Sequence, residues 1–316
     1  MIPRFKDLLK KGGISHPKTV VLNSIAVNNF RQMEEFAASG VPSLCEELYV
    51  ACRDAPSTST KLVVKEKLGI WLNGAVGFNA GLLTASEEET GRMLIVKLLR
   101  TGESAQSARI VKEQHDMEIA VNAWISSLEV KEGSDALVRG KSATLVKSDA
   151  PMDPPTRCII MERFVATLAE SPRTSFRIIF QQGRRIRAAL ELLHTNFIHM
   201  DVKPANVFIS SAGSWYLGDF GSCTKEGAIV TSATRGMYVT NVLGQPAQKK
   251  FDFFMLGLTL LLAAMPVDEG SMLFDSDNGV VLRDEAVKRW KLIEHVELRA
   301  FIAELWGQDI DTSRVV

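Results

Sequence analysis

The sequence predicts an α+β fold in which a small strand-rich part precedes a larger helical part, and three observations carry that reading. From Lys61 to Leu99, short apolar runs (KLVVKEKLGIWL, GLLTA, RMLIVKLL) are separated by glycine-containing or polar turns, the pattern of strands. Ser104 to Leu128 and Arg173 to Asn196 are long amphipathic stretches, and Met255 to Met265 is an apolar run, all three reading as helices. Between the last two lies His199 to Gly221, HMDVKPANVFISSAGSWYLGDFG, where two carboxylates flank a predicted hairpin.

At 316 residues with 46% hydrophobic composition, the chain can fill one two-lobed domain or two modest ones. Its 37 basic and 37 acidic residues cancel, so nothing points to nucleic acid. The run Met255 to Met265 is too short to cross a bilayer, and the opening MIPRFKDLLKKGG has no apolar signal core, so no export signal is expected. Cys45 and Cys52, seven apart in a predicted helix, would be separated by about 10 Å of rise and could not bridge. Cys158 falls in an apolar strand and reads as core, while Cys223, just after the second carboxylate, reads as a bystander rather than a reactive thiol.

Residues 1–60 are expected to form a helical extension. Asn28 to Ser39 (Phe30, Met33 and Ala37 on one face) and Ser43 to Asp54 (Leu44, Leu48 and Ala51) have helical spacing. Packing against the next lobe is favoured over a membrane or partner surface. The small lobe is read as 61–162. Three strands are followed by the helix Ser104 to Leu128, with Ile110, Met117, Val121, Trp124 and Leu128 inward, then strands at Ala136 to Lys147 and Arg157 to Glu162 around a proline-rich turn. The larger lobe, 163–316, opens with the helix Arg173 to Asn196, whose Ile178, Ile179, Ile186, Leu190 and Leu193 turn inward. Its Arg184, Arg185 and Arg187 read as a solvated face. Val207 to Ile209 and Trp215 to Leu217 are predicted to pair as strands through a turn at Ser210 to Ser214 containing Gly213.

That hairpin folds Asp201 and Asp219 toward one pocket, with Lys203 and Asn206 beside the first. Phosphoryl transfer needs such a set: a carboxylate to orient an attacking hydroxyl, another with an amide to hold Mg2+, and a lysine to neutralise developing charge. The stretch resembles the protein-kinase catalytic loop and metal motif, HxDxKPxN followed by DFG, and the resemblance extends over about residues 61–316. It implies a bilobal protein-kinase-like fold, with Asp201 and Lys203 catalytic and Asn206 and Asp219 on Mg2+. Lys97 would bind the ATP phosphates, and Met161 would line the nucleotide pocket where the hinge starts. Lys97 needs a glutamate partner on the following helix; Glu118 fits the family's pattern, Glu113 rivals it, and spacing leaves both open. Lys203 matches the Ser/Thr rather than the Tyr pattern, and Asp252 resembles the buried aspartate that accepts backbone hydrogen bonds from the catalytic loop.

The chain also departs from the family. Gly74, Gly77 and Gly81 are irregularly spaced where a phosphate-cradling loop belongs, and Ile95 stands where a small residue leaves room for adenine. Met200 replaces an arginine that pairs with an activation-segment phosphate. Behind Tyr238, Thr240, Asn241 and Val242 replace the APE motif, leaving Arg314 without the glutamate it would meet. The irregular glycine loop, with EGAIVTSATRG and FDFFMLGLTLLL, looks like that of the rhoptry-type kinases secreted by apicomplexan parasites, in the branch with a degenerate or absent glycine loop. That likeness implies secretion into the vacuole or host cell; without it, a cytoplasmic location is expected. The expected function is an ATP- and Mg2+-dependent Ser/Thr protein kinase, a monomer acting on protein substrates, with a pseudokinase scaffold as the alternative. A small-molecule kinase shares HxDxxxxN but is disfavoured by Lys203, Asp252 and the Ser/Thr-rich segment after Gly221.

Overall fold

The computed structural model describes residues 47–52, 59–67, 79–87, 90–99, 105–130, 132–146, 157–171, 174–234, 236–265, 273–275, 280–307 and 310. The helix expected at Asn28 to Ser39, Gly74, Gly77, the turn at 149–155 and Arg314 lie outside them.

The small lobe is an antiparallel sheet closed on itself. Strands β1 (Glu47–Cys52), β2 (Ser59–Lys67), β3 (Asn79–Glu87), β4 (Met93–Leu99), β5 (Gly140–Val146) and β6 (Arg157–Glu162) run in the order β1-β2-β3-β4-β6-β5. Pairing of β1 with β5, Tyr49 opposite Val146, completes the ring. This corrects the helix expected from Ser43 to Asp54 and brings part of the supposed extension into the lobe. The spacing of Leu44, Leu48 and Ala51 does fit a helix, but in the barrel the backbone of 47–52 bonds to two sheet edges that would otherwise stay unpaired. The helical argument about Cys45 and Cys52 lapses with it.

Between β3 and β4 the chain reverses at Gly91, whose φ of +68° glycine adopts without strain and whose amide donates to Glu87 O at 2.8 Å. Helix α1 (Ala105–Ser127) follows β4 and buries His115, Glu118, Ile119, Val121, Asn122 and Ile125. Its inner face is therefore partly polar, and Met117 and Trp124 are only partly covered. The strand expected from Ala136 begins at Gly140, because Leu137 and Val138 instead bond across to Leu217 and tie the two lobes together.

In the large lobe, α2 (Phe176–Leu193) starts at Ser175, whose side chain accepts from the Ile178 amide. Ile179, Ile186, Leu190 and Leu193 are buried as expected, but Ile178 faces outward and is 41% exposed. Arg185 reaches Asp135 and Arg187 reaches Glu191 and Glu304, surface pairs that agree with a solvated face. Helix α3 (Lys249–Ala264) is buried at nearly every position from Phe251 to Leu261, which explains why its sequence is apolar all round. It packs on α2 and α5 (Val296–Trp306), with α4 (Arg283–Lys291) beside it. None of the described helices is long and apolar enough to cross a membrane.

A three-stranded sheet, β7 (Ala166–Thr167), β8 (Val207–Ile209) and β9 (Trp215–Leu217), sits at the junction of the lobes. Its β8–β9 hairpin has the predicted bounds, and Gly213 takes a φ of +78° at its turn.

Candidate active site

The loop His199 to Asn206 is fastened from below by Asp252, a residue with no exposed surface. Its carboxylate accepts the amides of His199 at 2.7 Å and Met200 at 2.8 Å, as expected from the sequence. Met200 is fully buried with a φ of +63°, a left-handed conformation that costs a non-glycine residue about 1–3 kcal/mol. Asp219, with a φ of +59°, is the other non-glycine residue so placed among the described residues. Met200 directly precedes one site carboxylate, Asp201, and Asp219 is the other. His199 joins the two halves: its Nε2 donates to Gly218 O at 3.2 Å, and its Nδ1 accepts from the Asp201 amide at 3.3 Å.

Asp201 is buried at the centre of a polar cluster. Its Oδ2 accepts from Lys203 Nζ at 2.8 Å and Asn206 Nδ2 at 3.0 Å, and its Oδ1 accepts from the Thr234 amide at 3.1 Å. Lys203 also donates to Thr234 Oγ1 at 2.6 Å, so the segment after Gly221 is docked on the loop that carries Asp201. Asn206 commits its amide hydrogens to Asp201, with a second bond to Asp201 O at 2.8 Å, which leaves its carbonyl oxygen as the group able to bind a cation.

Lys97 reaches down from β4 to a second cluster. Its Nζ lies 2.5 Å from Glu118 Oε1 and 2.7 Å from Asp219 Oδ1. Burial opposes the Lys97 charge, but Asp219 and Glu118 outweigh it and hold its pKa above the ordinary lysine range. For Asp219, burial is likewise outweighed by Lys97, with help from Lys203 and His199, and the carboxyl is held down at about 2. Burial pushes the Glu118 carboxyl up, against the pull of Lys97. Glu118 rather than Glu113 meets the lysine. Five residues earlier on a helix, Glu113 points about 140° away, and it is exposed. Phe220 is buried beneath Asp219, its ring 5.5 Å from that of His199.

The other candidates have plain positions. Met161 is half-buried on β6, paired in register with Ile95 of β4, which brings the bulky isoleucine to the same edge. Cys158 is core, and Cys223 is a buried thiol that desolvation pushes well above its usual range, as Asp252 and Glu118 also do, so it is no nucleophile. Two features escaped the sequence reading. Thr234 was hidden in a Ser/Thr-rich segment, and His194 lies on the apolar face of α2 beside Leu190 and Leu193, where a lone histidine was a signal.

The absent APE glutamate is replaced by two other attachments. Gly227 and Val230 donate to Ala247 O and Gln245 O, while Ala247 and Gly244 donate back to Ala228 O and Val230 O, forming a short ladder. Tyr238 stacks edge-on between Phe251 and Phe254, with centroids at 4.8 and 4.7 Å.

Among the described residues no cluster of three or more His, Cys, Asp or Glu could hold a metal by itself. Asp219 and the Asn206 carbonyl are nonetheless a fitting pair for Mg2+, which keeps several waters and takes few protein ligands alongside substrate phosphates.

Comparison with known proteins agrees with this geometry. Residues 64–308 match the protein kinase domain family. The mitosis inhibitor protein kinase SWE1 of Candida albicans is 36% identical over 78 residues, covering 23% of this chain but only 7% of that relative's length. The ROP18 kinase domain, solved in complex with AMP-PNP and sucrose, superposes with a TM-score of 0.53 at 17% identity over 82% of this chain and 83% of that one. ROP2 from Toxoplasma gondii, described as a virulence factor with a protein-kinase fold and no enzymatic activity, gives 0.55 at 16% identity over 82% and 77%. The family match over most of the chain, together with the two clusters built on Asp201 and Lys97, makes this chain a member of the protein kinase family.

Proposed function

We propose that the chain is an active, ATP-dependent Ser/Thr protein kinase. The observation that carries the proposal is the Asp201 cluster: a carboxylate with Lys203, Asn206 and Thr234 all hydrogen-bonded to it, directly behind a loop held under strain. Asp201 would receive and orient the substrate hydroxyl, and Lys203 would offset charge developing on the transferred group. Lys97, kept in place by Glu118, would meet the nucleotide phosphates, with Met161 against the base. Asn206 and Asp219 would hold Mg2+, which supplies charge neutralisation at the phosphates. Glu162 is the proposed boundary between the lobes.

Transfer of labelled phosphate from Mg-ATP to Ser/Thr peptides, compared with Tyr peptides and with the D201N variant, tests the reading. Wild-type transfer to Ser/Thr that D201N abolishes is expected, and no transfer to any protein or peptide overturns it. The pseudokinase reading is supported by the irregular glycines, the absent APE motif and Ile95, which pairs in register with Met161. Under that reading Mg-ATP would leave the melting temperature unchanged. Fold likeness to ROP18 and ROP2 supports a rhoptry-type kinase that is secreted and acts on proteins outside the producing cell; immunolocalisation tests this.

A further inference from the structure

We propose that Phe274, on a short hairpin between α3 and α4, is a positioning residue for the protein substrate, acting through Gly236. Strands β10 (Phe274–Asp275) and β11 (Val280–Val281) pair antiparallel with Phe274 opposite Val281, and the Leu282 amide closes the base of the hairpin on Leu273 O at 2.8 Å. Leu273 and Val281 are buried in the same core as Met237, Tyr238 and Val239, so the hairpin is rooted beside the stretch that follows Thr234. It grips that stretch at two points. The Val281 amide donates to Tyr238 O at 2.9 Å, and the half-buried ring of Phe274 lies on Gly236.

Gly236 is buried with a φ of +85°, and a Cβ there would stand 3.1 Å from Phe274 Cδ1 and 3.7 Å from Cε1. The position calls for glycine on two counts, the left-handed backbone and the ring edge that covers it. Two residues earlier, Thr234 is bonded to Asp201 through its amide and to Lys203 through its hydroxyl. Two peptide units span at most about 7 Å, so residues 234–238 are pinned at one end by the Asp201 cluster and at the other by the hairpin. A protein whose hydroxyl reaches Asp201 advances about 3.3 Å per extended residue and meets this stretch within two or three residues of the acceptor. Glycine has the widest backbone freedom of any residue, and the Phe274 ring takes that freedom away. The platform is then ordered before the substrate arrives, and binding is spared the entropy of ordering it. Lys97, Glu118 and Asp219 form the other cluster, so nucleotide binding does not depend on this grip.

The kinetic form of this proposal rests on the kinase reading above. The test compares intact wild type, F274A and F274Y on the Ser/Thr peptide that the wild type phosphorylates fastest, since tyrosine keeps the ring edge that faces Gly236 and alanine removes it. F274A is expected to raise KM for the peptide by about ten-fold, while kcat, KM for ATP and the Mg-ATP thermal shift stay within about two-fold. F274Y should remain close to wild type. Should F274A not melt cooperatively, F274V, which leaves a smaller gap, takes its place. A wild-type peptide KM in F274A, a KM for ATP that rises as far as that for the peptide, or an F274Y as poor as F274A overturns the proposal. If the wild type transfers no phosphate, the kinase reading fails separately and amide exchange decides. Faster exchange at Met237 and Val239 in F274A but not in F274Y supports the grip of Phe274, and equal exchange in all three refutes it.

Discussion

Replacing Lys97 with methionine should damage the fold as well as the chemistry, in a way that can be worked through. The lysine and Glu118 side chains are 4% and 3% exposed, whereas Asp219 is 34% exposed. K97M leaves Glu118 buried without its cation, and removing one partner of a buried pair costs about 3–5 kcal/mol. For a domain of this size each kcal/mol moves the melting temperature by about 2–4 °C, so a fall of about 6–20 °C is expected at pH 7.5. Asp219 adds little to this, because solvent can take over part of Lys97's role there. E118L alone should cost less than K97M, since Lys97 keeps Asp219. The double variant K97M/E118L, which replaces the pair with apolar groups of similar bulk, should recover most of the loss while remaining inactive.

The pH dependence of the single variant follows from the same geometry. In K97M the counter-charge is gone and burial raises the Glu118 pKa further above its unfolded value of about 4.3. The folded state then binds that proton more tightly than the unfolded one. K97M should therefore be nearest to wild type at acid pH and lose ground as pH rises through the raised pKa. Melting curves of the four proteins between pH 4.5 and 8 check this. A K97M melting within about 2 °C of wild type at pH 7.5, or an E118L change that fails to rescue it, would refute the reasoning.

Three further outcomes are expected. D201N should cut phosphoryl transfer by about 10^2- to 10^4-fold while leaving the Mg-ATP thermal shift intact, because the variant keeps the side chain's shape but removes the proton acceptor and turns an NH2 toward a donor, either Thr234 N–H or the Lys203 and Asn206 pair. G218A should lose about 1–3 kcal/mol in denaturant melts: a methyl there would lie 2.7 Å from Val138 Cγ2 and 2.9 Å from Phe208 Cε2, where the lobes meet. Asp219, held down at about 2, should contribute stability that is complete above its unfolded value near 4 and is lost as pH falls toward 2; acid titration of wild type against D219N measures it.

The sequence revealed most where local pattern and chemistry coincided. The β8–β9 hairpin was legible to the residue because its two apolar triplets are separated by a glycine-containing turn, and Asp201, Asn206 and Asp219 could be placed from it. Helix α3 was legible because burial on all sides leaves an unbroken apolar run. What failed depended on partners distant in sequence. Strand β1 satisfies helical spacing, and only the edges of β2 and β5 make it a strand. Glu118 and Glu113 both lie on α1, and the choice between them rests on the direction from which β4 presents Lys97. Thr234 and His194 carry no motif of their own; each matters because a carboxylate more than thirty residues away has an open hydrogen-bonding position.

The two ways in which this large lobe is held bear on the choice between enzyme and scaffold. Where the family carries a glutamate behind the activation segment and this chain has Thr240, Asn241 and Val242, the described contacts include a backbone ladder between 227–230 and 244–247, a surface Lys249–Glu226 pair at its end and the wedge of Tyr238 between two phenylalanines. A tether can be exchanged this way, because any contact of sufficient strength fixes the segment. The groups around Asp201 cannot, since proton acceptance, charge neutralisation and cation binding each demand one functional group at one place. A scaffold would have no use for the strained φ of Met200 and Asp219, each of which costs stability. The proposed enzyme reading therefore rests on the strained, chemically specific groups around Asp201 and not on how the segment behind them is tethered.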